Sequence, residues 1–230
     1  MKKIILFAFA FIILTSSCSR KNYAHSFFYQ QTTEHKLIAI LPPEMIFSGK
    51  QPKNMSEEDI RKTEEDESRM FQQSLYSSIL RYANSGRYYM FVNVQDLNKT
   101  LNTLEENSVS LRDCWKMDDK KLEQILGVDA VVRMQVTKKR YMSDKASYGV
   151  TIGRTIMSGI PGSGKIPVPG RLGRTEDISA YCSVVANNVT LWNNFYRGAA
   201  DWDNPSNIII ENITGNFGRN FPYKKRYEKN

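Results

Sequence analysis

Leu37-Ile38-Ala39-Ile40-Leu41, followed at once by Pro42-Pro43, is the stretch on which the fold turns. A continuous apolar run with no polar member buries both faces, as an interior strand between two layers does. Proline has no backbone N–H to continue a ladder, so the pair ends the run. Ser56 followed by Glu57, Glu58 and Asp59 then marks a helix N-terminus, because carboxylates suit the positive end of the helix dipole. Phe71, Leu75, Ser78, Ile79 and Tyr82 recur at helical spacing, with Gly86 as the stop. The acidic first half, Glu57 to Arg69, lacks an apolar stripe and reads as a solvated extension. Tyr88 to Val94 returns to strand. Asp96 opens a helix bearing Leu97, Leu101 and Leu104, and Asp118 caps a short one with Leu122, Ile125 and Leu126 that ends at Gly127. Val128 to Val136 is strand again.

That alternation predicts an α/β domain. Farther along, Tyr148, Val150 and Ile152 alternate with Gly149, Thr151 and Gly153, and Ile178, Ala180, Cys182 and Val184 alternate likewise towards Val189 and Leu191. A Gly/Pro-rich loop over 158–174 lies between. The expectation is one α/β domain over 36–223, a mixed sheet flanked by helices, with an antiparallel strand pair in the second half joined by this long loop. Asn204-Pro205-Ser206 starts a last helix with Ile209, Ile213 and Phe217 on one face, weakened by Gly215 and Gly218 and ended by Phe221-Pro222-Tyr223. Residues 18–35 read as a tether, though Tyr23, Phe27, Phe28 and Tyr29 are apolar for a linker and suit docking of part of it onto the domain, and 224–230 read as a basic disordered tail.

The chain opens with Lys2-Lys3, an apolar run from Ile4 to Leu14, and Thr15-Ser16-Ser17-Cys18. The run is too short to cross a bilayer, and the small residues before Cys18 admit a peptidase. This is a lipoprotein signal over 1–17, with Cys18 as the lipidated first residue, although Thr15 stands where such signals usually carry Leu. Ser19 is not the aspartate of inner-membrane retention, and Arg20-Lys21 are not an acidic surface-export signal, so the expected site is the periplasmic face of the outer membrane. The net charge of +8 falls to +6 without Lys2 and Lys3. On an exported chain that excess points to anionic lipid, lipopolysaccharide or peptidoglycan rather than nucleic acid. Once Cys18 is acylated, Cys114 and Cys182 remain, and their spacing leaves both a disulfide and two buried thiols open.

Motifs for chemistry are weak. Gly159 to Lys165 has the spacing of a phosphate-binding loop, but Ile166 stands where a Mg²⁺-binding Ser or Thr belongs, and Pro167 and Pro169 prevent a following helix. With His25 and His35 both in the predicted tether, a folded nucleophile would lack its base. No Cys/His cluster suggests a metal, and no cofactor motif is present. Leu191-Trp192 and Phe195-Tyr196 read as core packing. The loop from Ser158 to Arg174 is the expected partner-binding segment, joining Ile160, Ile166 and Val168 to Lys165, Arg171 and Arg174.

Several segments, in order, resemble envelope lipoproteins of the CsgG-like, penicillin-binding-protein activator and TolB amino-terminal-domain superfamily. They are Leu37 to Pro42, Leu75 to Val94, Leu126-Gly127-Val128-Asp129-Ala130-Val131-Val132, and Val189-Thr190-Leu191-Trp192. The resemblance implies a periplasmic α/β domain that acts by binding, as a secretion-channel subunit, an activator of a cell-wall synthase or an assembly factor. It carries over no catalytic residue. Three readings stand: a binding or assembly factor with an unnamed envelope protein partner, an oligomeric channel subunit, or a cell-wall hydrolase. A cleft of convergent carboxylates would favour the last. Tyr148 to Ile156 is a poor membrane hairpin because Arg154 interrupts it.

Overall fold

The computed structural model describes residues 22–24, 26–49, 56–83, 85–140, 176–200 and 206–227. Its strands are β1 (Asn22–Ala24), β2 (Leu37–Ile40), β3 (Glu44–Gly49), β4 (Tyr88–Met90), β5 (Asn93–Val94), β6 (Ala130–Arg140), β7 (Glu176–Ala186), β8 (Val189–Ala200) and β9 (Lys224–Arg226). The helices are α1 (Phe28–Gln31), α2 (Glu57–Ala83), α3 (Leu97–Glu106), α4 (Leu111–Lys116), α5 (Asp119–Leu126) and α6 (Ser206–Arg219). The main sheet runs β1-β8-β7-β6-β2-β5, with β3 also paired to β6. Pairing is parallel among β2, β3, β5 and β6 and antiparallel from β6 through β7 and β8 to β1. This is the mixed α/β sheet the sequence predicts.

β2 is buried on both sides. Ile38 and Ile40 join one core, under α2 and α6, while Ala39 and Leu41 join another, under α3, α4 and α5. The two crossovers, β2 to β5 through α2 and β5 to β6 through the short helices, step in opposite directions along the sheet. Crossovers of one hand then place their helices on opposite faces.

The prolines do more than end a strand. β2 pairs with Ala130 to Val132, and beyond Pro42-Pro43 β3 resumes along the same edge of β6, so that Ile40 faces Val132 and Glu44 faces Gln135. One extra residue is absorbed at the break, as in a β-bulge. The long helix supplies the missing donors: Gln72 Nε2 donates to the Ile40 carbonyl at 2.8 Å, and Ser68 Oγ to the Pro43 carbonyl at 2.6 Å. Buried carbonyls of this kind are costly when left unpaired.

Several expectations are corrected. Within the predicted tether, residues 22–24 form β1 against Trp192 to Asn194, and Phe28 is buried beside Tyr223 with ring centroids 5.2 Å apart. The aromatic content of that segment supplies the burial a tether would lack. Lys224 to Arg226, read as disordered tail, pair with Tyr88 to Met90 as a separate ribbon. The acidic half of α2 is also not merely solvated. Arg112 holds Glu64 at 2.6 Å and Glu65 at 2.9 Å, and Lys138 holds Glu67 at 2.6 Å. Cys114 and Cys182 are free and buried, in the two different cores. Burial pushes the Cys114 thiol up to about 11 and raises Cys182 as well. Tyr148 to Ile156 and the Gly/Pro loop lie outside the described residues.

Gly218 explains the glycine content of α6. A Cβ there would lie 2.6 Å from the Ser78 carbonyl oxygen and 3.1 Å from the Ile79 nitrogen, so the glycine permits the backbone of α6 to touch that of α2. At Gly215 a Cβ would meet only the Tyr82 ring at 3.8 Å and the Arg219 guanidinium at 3.9 Å. Gly218→Ala should therefore destabilise by about 1–3 kcal/mol despite alanine's better helix propensity. Gly215→Ala should be neutral or stabilising by up to about 1 kcal/mol. Urea denaturation of the two variants beside the parent checks the contrast.

Candidate functional site

Side chains alternate along a strand, so residues in register share a face. Val131 and Val185 face the core beneath α3, α4 and α5. The same side of the sheet carries Arg133, Gln135 and Thr137 on β6. Opposite them lie Ser183, Tyr181 and Ser179 on β7, then Asn193, Phe195 and Arg197 on β8, with Tyr23 of β1 opposite Asn193. Ile46 of β3 stands beside Thr137. Arg133 marks where helix cover ends. Its guanidinium pairs with Asp119 and donates to the Cys114, Trp115 and Met117 carbonyls, capping the end of α4. Beyond it Ile46 is 37% exposed, Tyr181 38%, Phe195 45% and Tyr23 49%. Single exposed apolar residues need no explanation, but Tyr181 and Phe195 form a direct cross-strand pair, so the open face is a patch.

Alternate residues of β7 and β8 serve the opposite face. Ile178, Ala180, Cys182, Val184 and Trp192 lie in the core beneath α2 and α6. Trp192 is therefore packing, as its sequence context predicts, whereas Phe195 points to the open side. The hairpin turns at Asn187-Asn188, both in the left-handed region (φ 49° and 63°), where asparagine is tolerated. That dipeptide is the signal by which the β7–β8 hairpin could have been found. Likewise Ser110 and Asp113 form a capping box for α4, and their spacing would have located that short helix.

A cleft of about 890 Å³ lies between α1, the end of α5 and the β7–β8 turn, with His35, Glu123 and Asp129 in its wall. It tests the enzyme reading: of the carboxylates that line it, Glu34, Glu123 and Asp129, the last two are already engaged. Both Glu123 oxygens accept the Asn187 N–H, at 3.0 and 3.1 Å. Asp129 Oδ2 accepts the N–H groups of Lys36 at 2.7 Å and Leu37 at 2.8 Å, pinning the entry to β2. Burial raises the Glu123 carboxyl, opposed by the Asn187 N–H. Burial would raise Asp129 too, but the Leu37 and Lys36 donors and the charges of His35 and Lys36 outweigh it and hold that carboxyl low. His35, placed in the tether by its sequence position, is instead folded in, its Nδ1 2.6 Å from the Tyr223 hydroxyl. These groups fasten backbone segments; they do not converge on an open reaction centre.

Of the site residues predicted from sequence, Cys18, Ile160, Lys165, Ile166, Val168, Arg171 and Arg174 lie outside the described residues. The loop's flanks are placed: Arg140 and Glu176 are register partners, so residues 141–175 leave and rejoin the sheet at one end. Among the described residues no His, Cys, Asp and Glu group suits a metal ion, and no helix is long and apolar enough to cross a membrane.

No family model matches the chain. No curated protein matches it either. Among solved structures, the crystal structure of lipoprotein GNA1162 from Neisseria meningitidis is similar over 79% of this chain and 94% of its own, at 16% identity and a TM-score of 0.44. The PelC dodecamer from Paraburkholderia phytofirmans is similar over 80% and 85%, at 7% identity and a TM-score of 0.36. The LpoB C-terminal domain from Salmonella enterica is similar over 76% and 93%, at 7% identity and a TM-score of 0.35.

Burial, opposed by the nearby Asp129 charge, lowers the His35 imidazole below its ordinary 6.5. As pH falls through that region the unfolded chain takes up a proton that the folded chain resists, so stability is lost on the acid side. Melting temperatures measured between about pH 7.5 and about 5.5 should fall for the parent and fall less for His35→Gln. Parallel curves would remove His35 from the account.

Proposed function

We propose that this chain is a lipid-anchored envelope protein that acts by holding a protein partner, not by catalysis. The open sheet face carries the reading: Tyr181 and Phe195, paired and exposed, are aromatic anchors of the kind enriched at protein interfaces, with Gln135, Thr137 and Arg197 around them. Two of the carboxylates in the cleft that a hydrolase would need, Glu123 and Asp129, are committed to backbone donors. A channel subunit would need membrane strands from the second half of the chain, yet β7 buries Ile178, Ala180, Cys182 and Val184 beneath two helices of its own domain.

In this reading Cys18 carries the acyl chains and the protein resides on the periplasmic side of the outer membrane. The partner is an envelope protein with an exposed apolar patch, of the cell-wall synthase, secretion or assembly class. The Gly/Pro segment with Ile160, Lys165, Ile166, Val168, Arg171 and Arg174 is, in the same proposal, a second part of the contact.

Metabolic labelling with a palmitate analogue tests the anchor. The parent should be labelled and Cys18→Ala not; equal labelling removes the lipoprotein reading. Cross-linking in intact envelopes, followed by pull-down, tests the surface. Tyr181→Ser with Phe195→Ser, and separately a Gly/Ser linker in place of residues 160–169, should each leave the melting temperature within a few degrees. Each should reduce partner recovery about tenfold or more, as loss of interface hot spots does. Undiminished recovery by the sheet variant removes the open face from the proposal. A collapse in stability of the loop variant makes Ile160, Ile166 and Val168 core residues.

A further inference from the structure

β1 runs antiparallel to β8, with Asn22 opposite Asn194 and Ala24 opposite Trp192, so the chain enters the sheet from the Ala200 end of β8. The open face lies towards that same end. Phe195 is the next residue after Asn194, Tyr181 is its partner across the strand pair, and both lie past Arg133 and the short helices. Tyr23, 49% exposed, joins the two features: it belongs to β1 and, opposite Asn193, to the open face.

The connection sets a distance. With the acyl chains on Cys18, as in the lipidation reading above, Tyr23 is five residues on, at most about 18 Å away at full extension. Phe195 is diagonal to Tyr23 across the β1–β8 pair, about 7–8 Å from it, and Tyr181 lies about 5 Å farther. The aromatic patch therefore stays within about 30 Å of the acylated residue. Whatever docks there meets it close to the surface of the membrane that holds the anchor.

Two occupants suit that height, the bilayer itself and a protein embedded in it, and the charges decide between them. An anionic leaflet selects an excess of cations. Among the described residues the cations of this face, Arg133, Lys139 and Arg197, are matched by Asp119, Asp177 and Glu44. Arg133 pairs with Asp119, Lys139 is the register partner of Asp177, Arg197 is 3.6 Å from Asp177, and Glu44 accepts from Gln135 Nε2 at 2.6 Å. Thr137, Ser179 and Asn193 add neutral hydrogen-bonding groups. Paired aromatics inside a charge-balanced polar rim suit a protein surface.

We propose that the open face docks on the extramembrane rim of an integral protein of the same membrane that holds the acyl chains of Cys18. This placement rests on the lipidation and open-face readings above and narrows the partner they leave unnamed. A patch of few aromatic anchors binds weakly alone, and confinement of both proteins to one surface at matched height raises their effective concentration.

The test carries p-benzoylphenylalanine in place of Phe195 in the full chain, with irradiation of intact envelopes. The adduct should contain a protein that by itself resists carbonate extraction and fractionates with the anchor's membrane. The same probe in place of Ile208, 46% exposed on α6, should give no adduct. A Gly/Ser segment of about 30 residues inserted after Lys21 adds a root-mean-square span of roughly 30 Å. It should lower the yield from position 195 severalfold, because the face is then diluted away from its partner's height. An adduct with a carbonate-extractable protein or with one of the opposite membrane, equal yield from position 208, or a yield unchanged or raised by the longer tether overturns the proposal and leaves the open-face reading standing. Absence of any adduct from position 195 removes both. Absence of palmitate label on the parent removes the anchor, and this placement with it, but not the docking face.

Discussion

β6 is hydrogen-bonded along both edges, and the other elements are arranged around that requirement. Of its eleven residues, Ala130–Arg140, the ten from Val131 to Arg140 meet β7 on one side without interruption. On the other side no single strand reaches: β2 covers the first part and β3 the rest, with Pro42-Pro43 between them. A proline pair in an interior strand would ordinarily leave an unsatisfied stretch of backbone. Here the freed carbonyls turn to Ser68 and Gln72, so α2 is fixed in rotation and height by two polar side chains within an otherwise apolar contact. With α2 so placed, α6 can cross it closely only where Gly218 removes a side chain.

The same arithmetic of cover explains the open face. α2 and α6, at 27 and 14 residues, cover one side of the sheet. Among the described residues the other side has the 10-, 6- and 8-residue helices α3, α4 and α5, which cover β2 and the start of β6. Arg133 stands at the boundary as a polar stitch, its donors spent on carbonyls at the end of α4. The exposed aromatics lie beyond the reach of those three helices.

Much of this was legible in sequence because it depends on local signals. Leu37–Leu41 announced its two-sided burial, and Asp96, Asp118 and Gly127 sit at the helix ends they mark. What escaped depends on distant partners. β1 and β9 are three-residue strands that exist only because β8 and β4 offer them edges, so the segments containing them read as tether and tail. The acidic half of α2 has no stripe because its contacts are ionic, to Arg112 and Lys138, and hydropathy does not register a charged interface. For the site, the alternation of β7 and β8 revealed which residues would be core. It could not reveal that, among the described residues, the opposite set is left uncovered by α3, α4 and α5. His35 was misplaced for the same reason: its partner Tyr223 lies at the other end of the chain.

The two buried thiols set a condition on how this protein is made. Cys114 and Cys182 occupy cores on opposite sides of the sheet, and a disulfide needs Cα atoms within about 7 Å, so joining them is incompatible with the fold. Once folded they are inert, because burial disfavours the thiolate that attacks. Before folding they are ordinary thiols, and in an oxidising compartment the unfolded chain is open to a bond that would trap it. The race is then between collapse and oxidation. The chain's safety lies in burying each sulfur in a different half of the molecule before the two can meet.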